Sequence, residues 1–194
     1  NPFISDPADL DHPDAAEWIV PADYPGGESG VYYFRKLFSL PAVPDSFILH
    51  ISADNRYKLY VNGSYIGFGP AVGDLHHWYY DTWDLSDRLQ AGGNLIAVQV
   101  WNKGPHRGSR QISHRTALIC AGRSGDGYPL ITDSTWVVLR DPGYDFIPQS
   151  SEQVGGGYIA GATERLDGRM HPWGWQSAGF DDSDWTAVES IGKG

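Results

Sequence analysis

The sequence predicts an all-β protein, an antiparallel sandwich or barrel, and three observations in one stretch support that prediction. In residues 56–61, apolar and polar side chains alternate, which is the period of a strand with one buried face. Asn62-Gly63 follows and favours a type I′ hairpin, because both central residues of that turn need a positive φ. A turn at Gly92-Gly93-Asn94 precedes residues 95–101, whose almost continuous apolar run is typical of a strand buried on both faces. Strands and tight turns at this spacing indicate antiparallel sheets.

The other elements are predicted from the same patterns. Residues 17–20 form a short edge strand that Pro21 ends. Residues 31–40 form the first long strand, and residues 47–53 form the next, with His50 on its exposed polar face. Further strands are expected at residues 78–85, 114–121, 128–132 and 135–140. The predicted organisation is an extended arm and loop over residues 1–30, a sandwich core over 31–140, and an irregular, Trp-rich segment over 141–194 that packs on the sandwich.

Charge and cysteine content argue against several classes of protein. The formal net charge is −10, whereas binding to nucleic acids or anionic membranes needs clustered Lys and Arg. Cys120 is the only cysteine, so the chain forms no intrachain disulfide and no thiolate metal site. Because Cys120 lies in an apolar run, we expect a buried core thiol. No segment approaches the ~20 apolar residues of a membrane span.

Arg35 lies between aromatic residues of the strand predicted at residues 31–40. Its guanidinium is therefore expected to stack on a ring or to form an ion pair. A contact with a ligand is the alternative. The structural ion pair is favoured, because a buried arginine is normally a paired arginine.

Strand direction places three connections at one end of the predicted sandwich. If the strands between residues 47 and 101 alternate in direction, residues 54–56, 69–77 and 102–111 lie together, and we name this the loop end. The tight turns at residues 62–63 and 86–94 lie at the opposite end. Loops at one end of a rigid sandwich are a common place for binding.

The loop end is rich in groups that suit a sugar. Asp, Asn, His and Arg side chains hydrogen-bond to hydroxyls, and an indole packs against the C–H face of a sugar ring. The predicted carbohydrate-binding residues are Asp54, Asn55, Arg56, Asp74, His76, His77, Trp78, Asn102 and His106. The alternative for Asp54-Asn55 is a plain turn, which both residue types favour.

A metal ion at the loop end would be calcium rather than zinc. His76 and His77 point to opposite faces if they lie in a strand, and no cysteine or further close histidine completes four zinc ligands. Carboxylate, amide and backbone oxygens suit calcium, and the candidate ligands are Asp54, Asp74 and Asp81. These residues form no recognisable calcium loop. We expect no required cofactor, with calcium as the one candidate ion.

An ordered set of motifs resembles a known family. Its central part contains Asp54-Asn55-Arg56-Tyr57, Val61-Asn62-Gly63, Gly69-Pro70-Ala71, Gly73-Asp74-Leu75-His76-His77-Trp78-Tyr79-Tyr80 and Trp101-Asn102. Trp18 and Arg35 precede it, and Pro172-Trp173-Gly174-Trp175 and Asp181-Asp182-Ser183-Asp184-Trp185 follow it. This order resembles the N-terminal, galactose-binding-like jelly-roll module of bacterial α-L-rhamnosidases, and the resemblance covers most of the chain.

The resemblance implies a non-catalytic module of a larger glycoside hydrolase. The parent enzyme would hydrolyse terminal α-L-rhamnose by an inverting mechanism, with its acid and base in a separate α/α barrel. It would be exported to the periplasm or the medium, with a signal peptide that this chain lacks. The C-terminal segment would lead toward the next domain. Related sugar-binding modules often contain calcium, which agrees with the candidate ion above.

The sequence is compatible with several roles. The module binds a rhamnose-containing glycan, or it only packs on the catalytic domain of its parent. It could also be the equivalent module of a β-galactosidase or β-glucuronidase, since these share the fold. An enzyme acting alone is disfavoured. Glycoside hydrolysis needs two carboxylates across a cleft, but no Glu lies in the predicted core strands, and no nucleophile elbow, phosphate loop or His-Glu-x-x-His motif is present.

Overall fold

The computed structural model consists almost wholly of antiparallel strands. It describes residues 16–22, 27–74, 77–150, 152 and 162–193. The strands are β1 (Glu17–Pro21), β2 (Gly30–Leu40), β3 (Phe47–Asp54), β4 (Arg56–Val61), β5 (Ser64–Gly69), β6 (Asp81–Asp84), β7 (Gly92–Asn102), β8 (Ala117–Ser124), β9 (Pro129–Ile131), β10 (Val137–Arg140), β11 (Tyr144–Ile147), β12 (Thr163–Leu166) and β13 (Thr186–Lys193). Within those ranges the helical structure is limited to two 3₁₀ turns, Ser86–Arg88 and Gly104–His106. The same residues include no helix that is long and apolar enough to cross a membrane.

Two sheets pack face to face and share β13. Sheet 1 has the order β5-β4-β7-β2-β10-β13, and sheet 2 has the order β13-β1-β8-β3-β6 with β9 paired to β8. Thr186 and Ala187 of β13 pair with β10, whereas the later residues of β13 pair with β1. A strand that changes sheets makes a corner of the sandwich. The predicted antiparallel sandwich is therefore confirmed.

The core between the sheets follows the alternation of the strands. Phe47, Leu49 and Ile51 of β3 point inward and are at most 1% exposed. Trp136, which follows β9, is fully buried in the same core. Cys120 of β8 is fully buried among them, as predicted, and burial raises the pKa of its thiol far above its ordinary value. β7 has both faces buried over most of its length, also as predicted.

The Asn62-Gly63 hairpin is confirmed and is tied to its neighbours. The φ angles are 49° and 83°, which is the signature of a type I′ turn. The Asn62 Nδ2 donates to Asn94 Oδ1 at 2.9 Å, and the Leu95 amide donates to Asn62 Oδ1 at 2.8 Å. The end of the sandwich opposite the loop end therefore consists of tight turns that hydrogen-bond to one another.

Three predicted strands differ from the structure. The strand expected at residues 114–121 begins three residues later, as β8 (Ala117–Ser124). The strand expected as an edge, β1, lies inside sheet 2 between β13 and β8, because the last strand of the chain returns to cover it. The strand expected at residues 78–85 is reduced to β6. β3 pairs with β6 only up to Ile51, after which the Ser52 hydroxyl donates to the Tyr79 carbonyl at 2.7 Å in place of a ladder hydrogen bond.

His50 is buried, not exposed as predicted. It retains 5% of its surface, its Nδ1 lies 2.9 Å from Thr82 Oγ1, and its ring makes an edge contact with Tyr80 at 5.5 Å. The polar face of β3 is thus covered by the residues that precede and form β6. An alternating strand shows which residues share a face, but it does not show whether that face is covered.

A third layer, residues 141–150 and 162–185, covers the outer face of sheet 1. Trp175 stacks on Tyr33 of β2 at 4.2 Å and meets Tyr60 of β4 at 5.3 Å. The two-stranded sheet of β11 and β12, which the sequence did not predict, packs Phe146 against Trp101 at 6.0 Å.

Arg35 joins the third layer to sheet 1. Its side chain is fully buried, its Nε donates to Asp182 Oδ2 at 2.7 Å, and its Nη1 donates to the carbonyls of Trp175 and Ser177. Its guanidinium also lies 5.4 Å from the Phe180 ring. The predicted structural ion pair is confirmed.

Candidate functional site

The three connections of the loop end meet, as strand direction predicted. The Arg56 Nη1 donates to the Pro70 carbonyl at 2.9 Å, which ties residues 54–56 to the loop after β5. The Asn55 Nδ2 donates to the Ile112 carbonyl at 2.6 Å, which ties the same turn to the loop after β7. Asn55 and Arg56 are half-buried and act on neighbouring loops. Their polar groups therefore shape the loop end before any ligand arrives.

Asp54 is a buried carboxylate that holds the loop after β7. It is 3% exposed, and its Oδ2 accepts hydrogen bonds from the amides of His114 at 2.6 Å and Arg115 at 2.9 Å. Its Oδ1 accepts one from Asn102 Nδ2 at 3.2 Å. Burial raises the pKa of the Asp54 carboxyl, and the hydrogen bonds to it oppose that shift only in part.

Asn102 also stabilises the loop after β7. It is 1% exposed, its Nδ2 also donates to Ser113 Oγ at 2.8 Å, and its Oδ1 accepts the Gly104 amide at 2.8 Å. All of these partners belong to the protein. Asp54 and Asn102 thus fix the shape of the loop end from within.

The other predicted residues are more dispersed. Asp74 and His77 are exposed, with the His77 Nδ1 at 2.9 Å from Asp74 Oδ2. His76 lies outside the described residues. His106 lies in a 3₁₀ turn and its carbonyl accepts the amide of Ala162 at 3.0 Å, which places it beside the third layer.

The three carboxylates predicted as calcium ligands are not brought together. Asp54 is engaged as described above, Asp74 faces His77, and Asp81 accepts a hydrogen bond from the Tyr57 hydroxyl at 2.6 Å on β6. Across the part of the chain that the structure describes, no three His, Cys, Asp or Glu residues are placed to hold one metal ion. Among the described residues, these three carboxylates therefore do not converge on one calcium site.

A groove with aromatic walls opens at the loop end, on the outer side of sheet 2. It has a volume of about 410 Å³. Its walls are Trp18 of β1 and Trp78, whose rings meet edge to face at 6.1 Å. The remaining lining residues are Asp54, His114, Arg115, Ala117 and Ile191.

Asp54 and Trp78 were predicted from the sequence, but the other residues that line the groove were not. Trp18 reaches the groove because β1 lies beside β8. No local sequence pattern predicts that the two strands pair. His114 and Arg115 lie in the loop after β7, and the run of cations in that loop was the available signal. The structure therefore shifts the candidate site from the loop tips to the groove beside them.

The groove suits binding more than bond cleavage. The two indoles offer apolar surface, the exposed His114 and half-buried Arg115 offer donors, and the Asp54 carboxylate is held by three donors of the protein. Hydrolysis of a glycoside needs two carboxylates across the bond. Among the described residues that line the groove, Asp54 alone has a carboxyl group.

Comparison with known families assigns the chain. The model of the family described as the alpha-L-rhamnosidase N-terminal domain matches residues 43–193. The chain belongs to this family. No curated protein sequence matches it significantly.

Solved structures agree with the assignment. The rhamnosidase N-terminal domain is similar to the GH78 family rhamnosidase of Bacillus sp. GL1, with 29% identity, a TM-score of 0.79, and coverage of 92% of this chain and 18% of that one. It is also similar to the Streptomyces avermitilis alpha-L-rhamnosidase complexed with L-rhamnose (20% identity, TM-score 0.61, 92% of this chain and 14% of that one). The domain thus spans about a fifth or less of these rhamnosidases.

The fold is also found in a lectin. The structure of the Pleurotus ostreatus lectin in complex with GalNAc superposes with a TM-score of 0.59 at 22% identity, and covers 92% of this chain and 42% of the lectin. At that identity the similarity shows the fold alone.

Proposed function

We propose that this domain binds carbohydrate for a multidomain α-L-rhamnosidase, and that the groove lined by Trp18 and Trp78 is the binding site. The parent enzyme would hydrolyse terminal α-L-rhamnose outside this domain, after export from the cell. L-Rhamnose is the first ligand to test. The observation that supports the proposal best is a pair of tryptophans, with ring centroids 6.1 Å apart, beside polar side chains in a groove of about 410 Å³.

The aromatic walls match the apolar C–H face of a sugar ring. An indole packs against the C–H face of a pyranose ring and removes apolar surface of both from water. The volume lies in the usual range of small-molecule sites. Trp78 is only half-buried, so part of its ring is available to a ligand.

The polar side of the groove is already in place. The amides of His114 and Arg115 are held by Asp54, and the Ile112 carbonyl is held by Asn55. A wall fixed before binding loses little conformational freedom when the ligand arrives. A loop end that is fixed in this way supports recognition of a small polar ligand.

Calorimetric titration of the chain with L-rhamnose tests the proposal. We expect saturable binding that weakens about tenfold in Trp78→Ala, which corresponds to ~1.4 kcal/mol, because the variant loses the stacking surface. Trp173→Ala is the matched control, since Trp173 is 67% exposed and lies in the third layer. Equal affinity in the wild type and Trp78→Ala would discard this groove, and no binding of any neutral or acidic sugar at about 10 mM would discard the function.

The titration is run with calcium and with a chelator. Calcium is the ion that the sequence suggested, although the described carboxylates do not gather around a common point. An affinity that collapses in chelator would assign an ion to the site. An unchanged affinity would leave the groove as a metal-independent site.

A packing role is the second candidate, and the third layer favours it. Trp173, Met170 and Leu166 are 67%, 54% and 45% exposed. Apolar side chains grouped on a surface often mark an interface, and this chain covers only 18% of the Bacillus rhamnosidase. If no sugar binds, and Trp173→Ala destabilises the parent enzyme more than the isolated domain, the packing role replaces the binding role.

A further inference from the structure

Charge is distributed unevenly along this acidic chain. All 24 acidic residues lie outside residues 88–125, although the formal net charge is −10. The same segment contains Arg88, Lys103, Arg107, Arg110, Arg115 and Arg123, together with two histidines. Four of these cations fall between residues 103 and 115, which form the longest loop of the loop end. The groove is therefore bordered by a basic loop on an otherwise acidic domain.

Two of the four cations are used by the fold. The Lys103 Nζ is buried, donates to the Ala162 carbonyl at 2.5 Å and lies 5.1 Å from the Trp101 ring. The Arg107 guanidinium donates to the carbonyls of Gln111 at 2.9 Å and Gly104 at 3.0 Å. These contacts shape the loop from inside.

Arg115 differs from both. Its side chain lines the groove and is half-buried. Within the described part of the chain it forms no ion pair, while its backbone amide is fixed by Asp54 at 2.9 Å. A half-buried guanidinium on a fixed backbone, beside two tryptophans, suits an anion with an attached apolar ring.

We propose that the groove takes an acidic glycan, in which a uronic acid is linked to the sugar that packs on Trp78, and that Arg115 binds the uronate carboxylate. This inference rests on the proposed function, since it names the class of carbohydrate for the same groove. The planar guanidinium matches a carboxylate with two parallel N–H donors. A neutral sugar in the same position would leave the guanidinium without an anionic partner.

The overall negative charge does not prevent this recognition. Charges more than a Debye length apart, about 8 Å at physiological ionic strength, are largely screened from one another. Arg115 of the basic loop lines the groove, and clustered cations beside a cleft steer an anionic chain toward it. We expect the carboxylate to strengthen binding about fivefold to tenfold at low salt, because hydrogen bonds to charged groups are stronger than neutral ones.

The experiment compares two ligands that differ in one charge. The chain is titrated with a disaccharide of rhamnose and galacturonic acid, and with the same disaccharide as its methyl ester, at ~20 mM and at ~500 mM NaCl. Arg115→Gln removes the proposed partner of the carboxylate. Arg123→Gln is the matched control, because Arg123 is an exposed residue of β8 that pairs with Ile48 at the far end of the same sheet.

Three results separate the two proposals. A preference for the free acid that falls at high salt, disappears in Arg115→Gln and persists in Arg123→Gln supports the inference. Equal binding of acid and ester, unaffected by Arg115→Gln, overturns the inference and leaves the proposed function standing. Absence of binding of either disaccharide and of L-rhamnose overturns both. Circular dichroism and a thermal midpoint for each variant show that the fold is retained.

Discussion

Asp54 joins two connections of the loop end, the turn at residues 54–56 and the loop after β7, through one carboxylate. Its oxygens accept hydrogen bonds from Asn102 and from the amides of His114 and Arg115. A buried donor that loses its acceptor costs about 1–3 kcal/mol. The position of Arg115 in the groove therefore depends on Asp54, although Asp54 itself is 3% exposed.

The pH dependence of stability should show the raised pKa of Asp54. Because burial raises that pKa in the folded state, the folded protein binds a proton more tightly than the unfolded chain does. The Asp54 contribution to the free energy of unfolding is therefore most favourable below about pH 4, the ordinary aspartate value. It falls as the pH rises through the raised pKa.

Urea unfolding of the wild type and of Asp54→Asn across this range measures the effect. We expect the free energy of unfolding of the wild type, relative to Asp54→Asn, to decrease as the pH rises and then to level off. Taking the difference removes the contribution of the other carboxylates. A relative stability that increases with pH would mean that the three hydrogen bonds outweigh burial, and that the pKa of Asp54 is lowered.

Residue type alone could not tell a ligand from a structural contact at this end. Asp, Asn and Arg suit a sugar, but the same groups satisfy the backbone of loops at the end of a sandwich. Asp54, Asn55, Arg56 and Asn102 were predicted by type, and each hydrogen-bonds a neighbouring loop. Asn62, in contrast, was predictable, because a type I′ turn is decided by adjacent residues.

The third layer contains a matched pair of tryptophans two residues apart. Trp175 is 2% exposed and stacks on Tyr33, whereas Trp173 is 67% exposed. We expect Trp175→Ala to lower the free energy of unfolding by about 3–5 kcal/mol, the range for buried Trp in a core. Trp173→Ala should change it by less than about 1 kcal/mol.

Chemical denaturation of both variants checks this expectation. Hydrogen exchange of the β11 and β12 amides would show whether the third layer opens separately from the sandwich. Similar losses of stability in the two variants would mean that the side chains of residues 173 and 175 are buried to a similar extent in solution. The covering of sheet 1 would then differ from the structure described.

Elements with strong local patterns were predictable, and elements that depend on a partner were not. β2, β3, β4 and β7 alternate or are continuously apolar, so residue spacing defines them. β12 is Thr-Glu-Arg-Leu with all four residues exposed, and only its pairing with β11 makes it a strand. The aromatic groove belongs to the second kind, because Trp18 and Trp78 are far apart in sequence.

At the scale of the whole molecule, β13 holds the two sheets together. Thr186 and Ala187 pair with β10, and Glu17 of β1 pairs with Lys193. We expect deletion of residues 186–194 to abolish cooperative unfolding, because it removes the strand that both sheets share and the buried Val188. Near-ultraviolet circular dichroism and urea denaturation measure this loss.

Glu189→Ala is the control for that deletion. Glu189 is exposed on β13, so the variant keeps the strand and its pairing with Val20. It should unfold like the wild type. A deleted chain that keeps a sharp transition at the wild-type midpoint would show that β10 and β1 can meet without β13.

During synthesis, β13 leaves the ribosome after every other strand of the sandwich. Until it does, β10 and β1 expose unpaired backbone edges, and such edges can pair with another nascent chain. The time for which these edges stay open is set by how quickly residues 186–193 are translated and clear the exit tunnel. Slow codons upstream of this strand would prolong that interval, whereas a chaperone bound near the tunnel would shield the open edges of β10 and β1.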